Sequence, residues 1–72
     1  MTKLGEYLTT RSANKAIVAR KTGLSKQRIG EVTLNDDAKL RAGELYLIAL
    51  AIGVDPRELF QEVCGHLTLV EV

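Results

Sequence analysis

The stretch that decides the fold is NKAIVARKTGLSKQRIGEV, residues 14–32. Asn14 is a good helix N-cap because its short side chain can accept from the first unpaired backbone N–H groups. Ala13 before it and Val18 at the fourth helical position are placed as a hydrophobic staple. Gly23 suits the left-handed residue that stops a helix, so one helix is expected over about 15–22. Ser25 caps the next segment, Leu24 and Ile29 repeat the staple, and Ile29 with Val32 gives an apolar edge at i,i+3. This second helix is expected over about 26–33. Two short helices joined by a tight glycine turn, with the small Ala19 where they would cross, have helix-turn-helix spacing over about 14–33.

Outward from this unit the chain continues to read as helix. Toward the N-terminus, Leu4, Tyr7, Leu8 and Arg11 recur at helical spacing behind a Thr2 cap, which predicts a helix over about 3–11, slightly weakened by Gly5. Toward the C-terminus, Asn35-Asp36-Asp37 is a turn. Ala42 and residues 45–52 then form a segment apolar nearly all round, expected to be the buried central helix. Gly53 ends it. Asp55-Pro56-Arg57-Glu58 combines an N-cap, Pro at the first helical position and Glu at the third, opening a fifth helix to about 63. Gly65 breaks that pattern. The tail 66–72 is β-branched and partly alternating, so it reads as a short strand without a partner in the chain.

The expectation is therefore an all-α, compact five-helix fold with a short C-terminal β-strand, in which residues 1–72 make a single domain. A chain of 72 residues has no room for a separate catalytic module. Its 46% hydrophobic and 26% charged composition is that of a folded domain and excludes a disordered tail. A core this small supplies only about 3–5 kcal/mol, and one cysteine makes no intrachain disulfide, so oligomerisation is the expected supplement. The apolar run from Leu45 to Val54 is far shorter than the ~20 residues that span a bilayer, and the N-terminus lacks a signal-peptide stretch. A cytoplasmic setting without membrane association is expected. Cys64-Gly65-His66 offers neither a third orienting group nor an oxyanion motif, and no second cysteine joins it, so no enzyme, metal or cofactor is expected.

Charge gives the first indication of function. The formal net charge of +1 averages two unlike halves. Through Arg28, the basic residues Lys3, Arg11, Lys15, Arg20, Lys21, Lys26 and Arg28 face Glu6 alone, while the remainder carries eight acids against three bases. Such asymmetry suggests that the N-terminal part meets a polyanion. In a helix-turn-helix the second helix presents its first side chains to the major groove, and here those are Lys26, Gln27 and Arg28. Lys or Arg can donate to guanine O6 and N7, Gln can pair with adenine, and Glu31 one turn on can accept from a cytosine amine. Lys15 opens the first helix of the pair, where the free N–H groups already favour a phosphate, and Asn14 and Ser25 can add hydrogen bonds. Lys39 and Arg41 are weaker candidates for a flanking phosphate, since Asp36 and Asp37 beside them repel it.

Residues 14–32, with Leu45 to Phe60, resemble the Xre family of transcriptional regulators, the phage repressor and Cro type of helix-turn-helix. The shared pattern is a capped helix, inward Ala19, turn Gly23, capping Ser25 and inward Ile29, followed by a fourth helix and the start of a fifth. The resemblance covers most of residues 4–63. It implies a compact, repressor-like five-helix domain, usually dimeric, that binds palindromic or pseudo-palindromic double-stranded DNA through the residues matching Lys15, Lys26, Gln27, Arg28 and Glu31. The chain departs from the pattern in three places. Thr33-Leu34-Asn35 stands where the family commonly has Glu-Asn-Gly, Asp36 and Asp37 replace basic and Pro residues, and Lys15 replaces a frequent Gln. Gly30 is also unusual inside a recognition helix, costing about 1 kcal/mol relative to Ala unless it admits close approach of DNA.

Sequence-specific DNA binding by a small regulator is thus the expected function. The alternative is an antitoxin-like or scaffold module that meets a protein partner through the acidic half or the apolar tail. For a homodimer, Leu67, Leu69, Val70 and Val72 are the expected contacts, the tail pairing with its counterpart in a second subunit or docking on its own helices.

Overall fold

The computed structural model describes residues 1–70 and consists of five α-helices: α1 Lys3–Thr10, α2 Lys15–Thr22, α3 Lys26–Leu34, α4 Ala42–Ile52 and α5 Pro56–Cys64. Local capping chemistry sets nearly every boundary. The Thr2 hydroxyl accepts from the Gly5 N–H at 3.0 Å, and Asn14 Oδ1 accepts from Ala16 and Ile17 at 2.9 and 3.1 Å. Ser25 Oγ accepts from Arg28 at 3.0 Å, and Asp55 Oδ1 from Arg57 at 2.8 Å. Each bond satisfies donors that a helix start otherwise leaves unpaired. Gly23 and Gly53 end α2 and α4 at φ +78° and +75°, a region where an L side chain is strained.

The helices close around one apolar cluster to which all five contribute. Leu4 and Leu8 come from α1, Val18 and Ala19 from α2, Ile29 and Val32 from α3, Leu45, Ile48 and Ala49 from α4, and Leu59 from α5. Ala13 and Leu24, the outer halves of the two expected staples, pack against the same cluster. α3 is held between α1 and α2, while α4 lies against α2 and α5.

Gly5 is buried where α1 crosses α3. A side chain there would meet the Thr33 carbonyl, and Met1 Cγ at 2.7 Å. The residue that weakens the helix by propensity is therefore the one that lets two helices approach. Thr2 completes this junction. Its backbone N–H donates to the Thr33 carbonyl at 3.0 Å and its hydroxyl to the Val32 carbonyl at 2.7 Å, satisfying oxygens in the last turn of α3.

Two expectations are corrected. α4 is not buried on all sides: Leu45, Ile48 and Ala49 face the core, but Tyr46, Leu47 and Leu50 are exposed. A helix of this length in a five-helix domain has too few neighbours to cover its whole circumference. The expected tail strand is also absent among the described residues. The Leu67 N–H closes a turn onto the Cys64 carbonyl at 3.0 Å, and residues 67–70 follow without regular structure. Backbone in a strand needs a neighbouring ladder, and nothing in this all-helical fold offers one. Leu67, Leu69 and Val70 are exposed, and Val72 lies outside the described residues.

Candidate nucleic-acid interface

Helices α2 and α3 meet through the turn at Gly23, whose N–H donates to the Ala19 carbonyl at 3.0 Å. Small Ala19 and branched Val18 are buried on one side of this junction, Ile29 and Val32 on the other. With Ile29, Val32 and Thr33 turned inward, the 3.6-residue period leaves Gln27, Gly30, Glu31 and Leu34 along the opposite face of α3, with Lys26 beside them at its start. Lys26, Gln27 and Glu31 are exposed.

Arg28 is placed differently from its two neighbours. Its Nε donates to Glu44 Oε2 at 2.8 Å and its Nη2 to Glu44 Oε1 at 2.9 Å, a bidentate pair to the first turn of α4. Nη2 also donates to the Lys39 carbonyl at 2.7 Å, and Nη1 to Glu31 Oε2 at 3.2 Å. The planar fork is thus occupied within the chain, and the side chain runs from α3 toward α4 rather than along the outward stripe. Glu44 is buried and closes the α4 start as well, because its Oε1 accepts the Arg41 N–H at 2.9 Å. Arg28 in the first place, and the Arg41 N–H after it, hold the Glu44 carboxyl down at about 2 against the opposing effect of desolvation. The same carboxylates push the Arg28 guanidinium further up.

The expected phosphate-facing residues divide in two. Asn14 and Ser25 spend their side-chain oxygens on the caps described above, so their chemistry is first structural, although both are exposed. Lys15 is half-buried at the first position of α2, and Arg20 and Lys21 are exposed in its last turn. Lys15, Arg20, Lys21 and Lys26 enter none of the ion pairs among the described residues, whereas Arg11, Arg28 and Arg57 each have an acidic partner. Lys39 and Arg41 lie in the connection to α4, exposed beside Asp36 and Asp37, where Asn35 Oδ1 accepts the Asp37 N–H at 2.9 Å.

Sequence reasoning missed the Arg28–Glu44 pair and the apolar groove between α4 and α5, lined by Ala42, Leu45, Tyr46, Pro56 and Phe60. A signal for the first was present: Glu44 is the lone charge in the apolar segment 42–52. An acid on the inner side of such a helix requires a cationic partner. No cluster of three His, Cys, Asp or Glu side chains suited to a metal occurs among the described residues, and none of their helices is long and apolar enough to cross a membrane. Comparison with protein-family models, curated proteins and solved structures finds no match.

Proposed function

We propose that this chain is a sequence-specific double-stranded DNA-binding regulator of the Xre type, a helix-turn-helix whose α3 enters the major groove. The observation that carries the reading is the exposed start of α3, where Lys26 enters no ion pair among the described residues and shares a surface hollow with the equally unpaired Arg20 of α2, the helix that also carries Lys15 and Lys21. Lys26, Gln27 and Glu31 are the base readers in this proposal, supplying two donors and an acceptor of the kinds that distinguish base edges. Lys15, at the α2 N-terminus, holds a phosphate and fixes register without reading sequence. Arg28 acts indirectly, tying the reading helix to α4 through Glu44. Activity as a dimer on a palindromic operator belongs to the same proposal, with two α3 helices about one DNA turn, ~34 Å, apart.

In vitro selection of the purified protein on random duplex DNA, at stated and roughly physiological salt, tests this directly. The expected result is an enriched motif that the joint Lys26→Ala and Gln27→Ala variant no longer binds while its helical circular dichroism is unchanged. Absence of enrichment from folded protein overturns the reading. A second reading, an interaction module for another protein, draws on the exposed apolar surface of α4 and α5, and it gains from that negative outcome.

A further inference from the structure

We infer that Leu34 reads the C5-methyl group of a thymine, with α3 lying along the major groove so that its outer stripe meets the bases over its whole length. The inference rests on the DNA-binding reading above and names a sequence feature which that site selects. Leu34 is 56% exposed, at the end of a helix whose other large apolar side chains, Ile29 and Val32, are buried. An exposed leucine by itself needs no explanation, so its direction is the informative part. Seven residues bring an α-helix round to within about 20° of the starting direction, and Leu34 therefore points the same way as Gln27, opposite Ile29, Val32 and Thr33. Gly30 and Glu31 flank the line between them. Positions i, i+3, i+4 and i+7 are those that a helix laid along the groove presents to base edges. The position also departs from the Xre pattern, which commonly has Asn where this chain has Leu34, so the contact is this chain's own.

Gly30 supplies a second, independent observation. It stands at the middle of α3, where glycine weakens a helix. Gly23 and Gly53 serve backbone at positive φ, and Gly5 serves the crossing of α1 with α3. Gly30 meets neither need, since its φ is not positive and a Cβ there would touch nothing within 4 Å. The chain's own packing thus gives no reason for the missing side chain. A partner seated against the stripe between Gln27 and Leu34 does, because without a Cβ the helix backbone comes closer to that partner.

The chemistry of the groove selects the base. Leucine neither donates nor accepts, and the one apolar group displayed in the major groove is the thymine methyl. Set against a cytosine amine or a purine N7, the same side chain strips water from a polar edge and returns no hydrogen bond. Leu34 therefore favours a thymine by contact and disfavours the other bases by desolvation. Its distance from Gln27 says where. Seven residues at 1.5 Å rise span about 10.5 Å, or about three base-pair steps of ~3.4 Å. A half-site is expected in which the thymine stands about three pairs from the one read by Gln27. The last turn of α3 carries no basic residue, and exposed Asp36 and Asp37 follow it, so this end of the stripe makes its contact without a phosphate anchor.

A cycle across the interface, on the duplex enriched by in vitro selection, supplies the test. Each thymine of the half-site is replaced in turn by deoxyuridine, which lacks only the methyl group, and binding to the full chain is titrated by fluorescence anisotropy at fixed salt. Wild type is expected to lose about fourfold in affinity at one thymine, the factor equivalent to ~0.8 kcal/mol for one buried carbon. Leu34→Ala, with unchanged helical circular dichroism, is expected to bind the thymine duplex at least about fivefold more weakly and to be indifferent to that replacement. Leu34→Met, which keeps an apolar body of similar size, is expected to retain the sensitivity, as is Gln27→Ala. A half-site without thymine, deoxyuridine tolerated at every position, or a Leu34→Ala chain that binds as wild type or still senses the methyl each overturns the inference and leaves DNA binding standing. Loss of methyl sensitivity in Leu34→Met overturns it as well. No enriched duplex from folded protein overturns the functional reading, and this inference with it.

Discussion

Replacing Arg28 by Ala removes both donors to Glu44 and the bonds to the Lys39 carbonyl and Glu31 in one step. The Glu44 carboxylate, with its side chain only 10% exposed, then keeps a single backbone donor, the Arg41 N–H. Breaking a fully buried pair by deleting one partner costs about 3–5 kcal/mol. The Arg28 side chain is 25% exposed, so water reaches part of the vacated site and the expected loss is smaller, about 2–3 kcal/mol. In a domain this small each kcal/mol moves Tm by about 4–8 °C, so Tm is expected to fall by about 10–20 °C. The pH dependence has a definite sign. A carboxyl held at about 2 in the folded chain, against an ordinary 4.5, contributes stability that is fully present above the ordinary value. That stability is lost as pH falls toward 2, and in the Arg28→Ala chain the slope of stability between pH 4.5 and 2 is expected to flatten. Urea unfolding of wild type, Arg28→Ala, Glu44→Ala and the double variant at pH 7 and pH 3 measures all of this, with an expected coupling of at least ~1 kcal/mol. Additive losses within about 0.5 kcal/mol would refute the pairing. An Arg28→Ala chain of unchanged stability that no longer binds DNA would instead make Arg28 a base reader.

Two glycines are expected to respond in opposite ways. Gly5→Ala drives a methyl group into the Thr33 carbonyl at the α1–α3 crossing, and the overpacking outweighs the gain in helix propensity, so chemical denaturation is expected to show a loss of about 1–2 kcal/mol. Gly30→Ala meets no atom within 4 Å and is expected to raise stability by about 0.5–1 kcal/mol. The same substitution is expected to weaken binding to the selected DNA at least tenfold, because the added methyl stands on the face of α3 proposed to enter the groove. Unchanged affinity in a titration would remove Gly30 from the contact surface.

The parts of this fold legible in the sequence are those set within four or five residues of chain. Asn14, Ser25, Asp55-Pro56 and Gly23 act on the backbone next to them, so the starts of α2, α3 and α5 and the stop of α2 follow from residue type and spacing. What escaped depends on separation. Arg28 and Glu44 are sixteen residues apart, and nothing local to Arg28 distinguishes an arginine that reaches a base from one that reaches another helix. Gly5 posed the same difficulty: propensity counts it as a defect, and only the crossing with α3 shows what its missing side chain allows. The apolar circumference of α4 was visible, but composition alone treats burial by the chain's own helices and coverage by a second chain alike.

These non-local contacts bear on the same element. At the end of α3, Thr2 caps the Val32 and Thr33 carbonyls while Gly5 lets α1 lie against them. At its start, Arg28 reaches Glu44 and the Lys39 carbonyl. α3 is therefore fixed at both ends by groups that face away from its outer stripe, leaving Lys26, Gln27 and Glu31 at the surface. Half-buried Gly30 and exposed Leu34 also lie on that stripe and add no charge. Under the proposed function, positioning and reading thus fall to different residues of one nine-residue helix. Substitutions on the inner side should accordingly lower stability before affinity, and those on the outer side should lower affinity without loss of stability, a separation that a helix held at one end only would not produce.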